Sequence, residues 1–303
     1  MSIIPDFDDE DVSLRDKVFN VFLEKKQFEP EEYADMQLSH LTFDLNLENT
    51  ITYDLSTKMD FVYDQGFIGS CVSNSACWIL RYHKRSIFPS RLYHYYYCRL
   101  FDYQQGDNRP NIDDGTTIQQ GFRVLNKKGT CTETLYPYIT SKQGIQPVSS
   151  LNQNASFNRV IQYAPVRQDI YYMKNLLKMG YPFSFGILVY QSFLTNSVTS
   201  SGIIPMPISG ERILGGHALT AVGYDDTRQM IKFVNSWGRG WGEKGYGYIP
   251  YAYLENGSLS GDIWTAYKIN MQMPRKMKKK NRNHIKKRVN PVTYGLWLRK
   301  QKH

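Results

Sequence analysis

The chain has 303 residues, of which 41% are hydrophobic and 21% charged, so it reads as an ordinary globular protein with room for one large domain or two lobes. No window approaches about 18 uninterrupted apolar residues, which excludes a membrane-spanning helix by hydropathy. The net charge of +9 is misleading, because twelve of the 37 Lys and Arg lie between Pro274 and His303 with no acid among them, leaving 25 basic against 28 acidic residues elsewhere.

Residues 1–48 form an acidic leader, read as a short pro-region, in which Val18, Phe19, Phe22 and Leu23 fit one amphipathic helix. Its start, Met1 to Asp11, lacks the basic and apolar regions of a secretory signal, so the expected setting is intracellular. Leu45 to Tyr63 reads as short extended pieces. Ser70 is expected to cap a helix over Cys71 to about Tyr82, with Ala76, Ile79 and Leu80 facing the core. A second helix runs from about Thr117 to Lys127, with Ile118, Phe122 and Leu125 on one side and Gly129 as its stop. The tyrosines from Tyr93 to Tyr97 read as a packed helix face.

After Pro137 the character changes to short β-rich runs: Phe183 to Tyr190, Ala218 to Tyr224, Met230 to Val234 and Gly245 to Pro250. Asp225 to Arg228 is a hairpin turn between two of them. Helices first and strands later predict an α+β protein with a helical lobe (about 60–140) and a β lobe (about 155–270) within a domain spanning 49–270, the site lying between the lobes. Residues 271–303 are a basic tail, expected to be disordered.

Four cysteines (Cys71, Cys77, Cys98, Cys131) are too few and scattered for a disulfide framework, which fits a reducing compartment. No Cys/His spacing suggests zinc. Cys71 stands apart. It sits in the glycine-rich stretch Gln65 to Val72, at the predicted start of a helix, where unpaired N–H groups favour an anion. His217 follows Gly215-Gly216, and Asn235 opens Asn-Ser-Trp-Gly. A thiol of ordinary pKa about 8.5 needs such help to act as a nucleophile at neutral pH. His217 would take and return its proton, and Asn235 would hold the ring by a hydrogen bond to the other nitrogen. Gln65 and the Cys71 N–H would stabilise the oxyanion. Gly69 would let a substrate backbone approach, and Trp237 would cover the Asn–His bond. His40, His83 and His94 have no comparable context and read as surface or packing residues.

This set resembles the papain family of cysteine peptidases, most specifically in Asn235-Ser236-Trp237-Gly238-Arg239-Gly240-Trp241-Gly242-Glu243-Lys244-Gly245-Tyr246. The Cys-His-Asn arrangement is a known property of papain-like enzymes. The resemblance covers roughly Ile51 to Tyr267. It implies a two-lobe fold with a helical N-terminal lobe and a β-barrel-like C-terminal lobe. Its catalytic residues would be Gln65, Cys71, His217 and Asn235, with Gly69, Gly115, Gly216 and Trp237 bordering the substrate. Gly115 would pair with the substrate backbone, while Asp114 replaces a second glycine. Ile68 stands where secreted members place a disulfide cysteine, and Val72 where a Trp usually follows the nucleophile. Asp113-Asp114-Gly115-Thr116-Thr117 and Leu135-Tyr136-Pro137-Tyr138 look like the disulfide-poor branch found in microbes and large DNA viruses.

The expected activity is endopeptidase hydrolysis of polypeptides by a monomer, with no metal or organic cofactor. Two rivals stay open: acyl transfer or amide cleavage by the same residues, and a latent or non-catalytic interaction protein. The tail from Arg275 to Lys302 would bind nucleic acid or an anionic surface, or direct the chain to a nucleus or virion. Near its end Tyr294, Leu296, Trp297 and Leu298 form an apolar knot.

Overall fold

A computed structural model describes residues 50–59, 61–104 and 109–272. The expected leader helix and the basic tail with its apolar knot lie outside the described residues.

In chain order the elements are β1 (Thr52–Asp54), α1 (Cys71–His83), α2 (Arg91–Gln104), α3 (Ile118–Lys127), short α4 (Asn152–Ser156), β2 (Val160–Pro165), α5 (Ile170–Lys178), β3 (Phe183–Tyr190), short α6 (Asn196–Ser201), β4 (Ile213–Asp225), β5 (Met230–Val234), β6 (Tyr246–Pro250), short α7 (Tyr251–Glu255) and β7 (Ser260–Ile269). The strands make one sheet in the order β2-β7-β3-β4-β5-β6, with β1 added to β4, and every pairing is antiparallel. The α+β expectation holds. Six elements were not anticipated: β2, α5, β7 and the short helices α4, α6 and α7.

Helix α1 is the centre of the molecule. It packs against α2 and α3 on one side and against β3, β4 and β7 on the other, so every residue from Cys71 to Leu80 is buried rather than a single stripe. A helix buried all round must satisfy its polar side chains internally. Ser75 Oγ does so against the sheet, 2.5 Å from Ser184 Oγ and 2.6 Å from Thr220 Oγ1. Ser73 Oγ does so against α2, 2.9 Å from His94 Nδ1. Ser70 holds the N-cap position but makes no side-chain bond to the helix backbone; its hydroxyl meets Tyr138 instead.

Helix α2 follows Pro89, with Tyr93 N donating to Ser90 Oγ at 3.2 Å. Its tyrosines pack as expected: Tyr93, Tyr96 and Tyr97 cluster with Cys98, Val124 and Cys131. Helix α3 starts at Thr117, whose Oγ1 accepts from Gln120 N, and passes so close to α1 that a Cβ on Gly121 would sit 2.7 Å from Val72 Cγ1. Gly129, at φ +76°, ends it. Asp225 closes the β4–β5 hairpin by accepting from Thr227 N and Arg228 N. All four cysteines are buried free thiols. Among the described residues no helix is long and apolar enough to cross a membrane.

Candidate active site

Cys71 is the first residue of α1 and exposes no surface. Burial pushes its thiol up to about 11, against hydrogen bonds to the sulfur from the backbone N–H groups of Ala218, Val72 and Cys71 itself; the Asp113 carboxylate adds to the rise. A lowered thiol pKa was expected from the helix start. Desolvation prevails because a lone buried thiolate has no solvent to replace. The Ala218 contact also fixes the location of the sulfur: it lies against β4, one residue after His217.

His217 is likewise fully buried. Its Nε2 lies 2.9 Å from Asn235 Oδ1. Ser236 N donates to that same Oδ1 at 2.8 Å, so the atom facing the imidazole is an acceptor and Nε2 must carry the hydrogen. Nδ1 is then the basic nitrogen of the neutral ring. Asn235 is held in turn by its backbone N, which donates to Gly245 O at 2.9 Å. Trp237 lies over His217 with ring centroids 5.0 Å apart. Phe193 and Trp241 complete an aromatic cover: Phe193 meets Trp237 edge-on at 5.4 Å and stacks on Trp241 at 5.8 Å. These two were missed, although Trp241 sits in the segment Asn235 to Gly242.

Gln65 joins the same cluster. Its backbone N donates to Ser236 O at 2.8 Å, its Oε1 accepts from Ser236 Oγ at 2.5 Å, and its Nε2 donates to Ile68 O at 3.0 Å. The amide is thereby oriented with nitrogen toward the loop before Cys71. One of its two hydrogens remains beyond the Ile68 bond. The structure therefore brings Gln65, Cys71, His217 and Asn235 together from three distant segments.

The other expected site residues fare differently. Gly69 donates its N–H to both oxygens of Asp113, each at 3.0 Å. Gly216 pairs with Leu188 of β3, beside the histidine. Gly115 does not fit the substrate-pairing role expected of it. Its N–H donates to Tyr95 Oη at 3.1 Å and its carbonyl accepts from Arg99 Nη1 at 2.6 Å, so both backbone groups are engaged by α2. Its φ of +72° makes it the turn that leads into α3.

Among the described residues no group of three His, Cys, Asp or Glu side chains is placed to hold a metal ion.

Comparison with known proteins places the chain in a family. The profile of the papain family cysteine proteases matches residues 52–258. An uncharacterized peptidase C1-like protein of Acanthamoeba polyphaga mimivirus is 34% identical over 215 residues, which are 66% of this chain and 68% of that one. A viral cathepsin of Adoxophyes honmai nucleopolyhedrovirus is 27% identical over 205 residues, 66% of this chain and 56% of its own. Among solved structures, xylellain, a cysteine protease from Xylella fastidiosa, superimposes with a TM-score of 0.65 at 33% identity, covering 72% of this chain and 86% of xylellain. With the profile spanning two thirds of its length and the thiol, imidazole and amide gathered at one place, the chain belongs to the papain family of cysteine proteases and is a cysteine peptidase.

Proposed function

We propose that the chain is an endopeptidase that hydrolyses peptide bonds through an acyl-enzyme on Cys71. The bond between His217 Nε2 and Asn235 Oδ1, beside a sulfur that lies against Ala218, carries this reading. It leaves Nδ1 as the base for the thiol proton.

A thiolate alone is unfavourable in this buried site, which the rise of Cys71 to about 11 expresses. Passing the proton from Sγ to His217 Nδ1 creates a paired thiolate and imidazolium with no net charge added, the form in which buried ions are tolerated. The thiolate attacks the scissile carbonyl carbon, and the C=O electron pair moves to oxygen. That oxyanion takes the Gln65 Nε2–H and the Cys71 N–H, the latter released from the sulfur once the sulfur is bonded to carbon. The tetrahedral intermediate collapses as the imidazolium protonates the departing amine nitrogen, leaving a thioester. Water, deprotonated by His217, attacks the thioester carbonyl, and the thiolate leaves with the carboxylic acid product formed. Asn235 keeps Nε2 hydrogen-bonded and the ring in one orientation throughout, and the cover of Trp237, Phe193 and Trp241 excludes water from that bond.

The test is product analysis on a peptide panel. Internal cleavage with incorporation of one oxygen from water supports hydrolysis; amide products formed with added amines support acyl transfer instead. Cys71→Ala should abolish either reaction.

A further inference from the structure

The segment Asp64 to Cys71 carries both expected oxyanion donors and the nucleophile, yet contains no cysteine bridge. What holds it is a buried set of side chains from α1, α2 and the loop after α3. Arg91, the first residue of α2, donates through Nη1 to Asp64 O at 2.8 Å and to Asn74 Oδ1 at 2.9 Å. Its Nε and Nη2 pair with Glu133 at 3.2 and 2.9 Å, a two-pronged bond that fixes the plane of the guanidinium. That plane is pressed between aromatic rings, 3.7 Å from Tyr138 and 4.3 Å from Tyr63. From Asn74 the chain of bonds continues: Nδ2 donates to Ser70 O at 2.9 Å and Ser70 Oγ at 3.0 Å, and Ser70 Oγ lies 2.6 Å from Tyr138 Oη. Tyr138 donates its one hydrogen to Gln65 O at 2.9 Å, so Ser70 is the donor to Tyr138.

These bonds close a loop around the segment. They seize the carbonyls of Asp64, Gln65 and Ser70, the residues that flank the Gln65 amide on one side and the Cys71 N–H on the other. Ile68 adds an apolar anchor by packing with Leu92 and Tyr95 of α2. None of Arg91, Asn74 or Tyr138 is among the residues that perform the chemistry. We propose that Arg91, Asn74 and Tyr138 are positioning residues that set the oxyanion donors of the segment Asp64 to Cys71 at their working separation. The proposal rests on the peptidase reading of Gln65 and Cys71.

A charged, two-pronged guanidinium is suited to this because it is rigid and donates in several directions at once, which Lys cannot reproduce. Small displacements of groups that meet the transition state cost rate far more than binding; a shift of about 1 Å is worth up to roughly 100-fold. The effect should therefore fall on kcat.

The experiment uses the full chain and a double-mutant cycle. Tyr138→Phe removes one hydroxyl and keeps the ring on Arg91, so it is expected to fold; Arg91→Lys is the stronger companion. Tyr138→Phe should lower kcat about tenfold with KM within about twofold, at a temperature where circular dichroism shows native signal. In a Gln65→Ala background the same change should cost less than about twofold, because one of the two donors whose separation it sets is gone. An equal fold-loss in both backgrounds, or a lowered Tm with kcat unchanged, would overturn the proposal and leave the network a purely structural one. If Arg91→Lys does not fold, the Tyr138→Phe cycle decides alone. Cys71→Ala in parallel separates the two failures: turnover persisting in that variant removes the peptidase reading itself, whatever Tyr138 does.

Discussion

Asn235 Oδ1 receives two hydrogens, one from Ser236 N and one from His217 Nε2, and it thereby settles which nitrogen of the imidazole is basic. Ser236 acts a second time through its hydroxyl, which turns the Gln65 amide by binding its oxygen. The residues after and before the two distant motifs thus lock each other. If Gln65 supplies an oxyanion donor, Gln65→Ala should reduce kcat by about 100-fold, the cost typical of one such donor, with a smaller change in KM. Steady-state kinetics on one peptide checks this. A KM-only effect would place Gln65 in ground-state binding. At this scale most of the site was legible, because a thiol, an imidazole and an amide in glycine-rich settings have few other uses. The role of Gly115 was misjudged: sequence shows that a glycine is present but not that Tyr95 and Arg99 hold its N–H and carbonyl.

The helices meet through polar contacts inside an apolar layer, and His94 of α2 is the pivot between α1 and α3. Its Nδ1 faces Ser73 Oγ at 2.9 Å and its Nε2 faces Gly121 O at 2.8 Å, with the Cys98 thiol the other titratable neighbour at 3.6 Å. Burial lowers its pKa to about 4 from 6.5, the Gly121 carbonyl opposing. An unfolded imidazole therefore takes up a proton near pH 6.5 while the folded one waits until about 4. The stability due to neutral His94 is complete above pH 6.5 and is lost as pH falls toward 4, by an amount on the order of 3 kcal/mol. Urea unfolding of inactive Cys71→Ala protein should show this acid slope, and adding His94→Gln should flatten part of it. His83, lowered likewise to about 4 by burial, accounts for a remaining share. An unchanged slope would mean that His94 titrates alike in both states. From sequence His94 read as either a surface or a packing residue, because its partners come from α1 and α3 and have no local signal.

Across the whole molecule helices and sheet share one apolar core, and a few polar ties cross it as well. Ser75 of α1 meets Ser184 of β3 and Thr220 of β4. Asp262 of β7 reaches the start of α3, accepting from Ile118 N at 2.5 Å and Gln119 N at 3.2 Å, and from Trp264 Nε1 at 2.8 Å. It does so at φ +50°, a conformation that Asp tolerates better than most residues. Asp262→Ala removes the acceptor of the first two N–H groups of α3, leaves the Thr117 cap and keeps the strained backbone, so equilibrium unfolding should show a loss of about 2 kcal/mol, with Asp262→Asn milder. No loss would mean that solvent caps α3 equally well. The α+β order was legible because Phe183 to Tyr190 and Met230 to Val234 are short apolar runs. Strand β7 was not, since Ser260-Gly261-Asp262 opens it with polar and turn-forming residues, of which Ser260 serves β3 and Asp262 serves α3. The Arg91–Glu133 pair escaped for the same reason, being 42 residues apart in sequence.

The central claim is that Cys71 is the nucleophile of a peptidase. Incubating the full chain with an epoxide that alkylates catalytic thiols, then mapping peptides by mass spectrometry while following hydrolysis, tests it most directly. The account predicts one label per chain, on Cys71, with activity lost in step and neither labelling nor turnover in Cys71→Ala. Activity that persists in Cys71→Ala, or inactivation tracking a label on Cys77, Cys98 or Cys131, would contradict it.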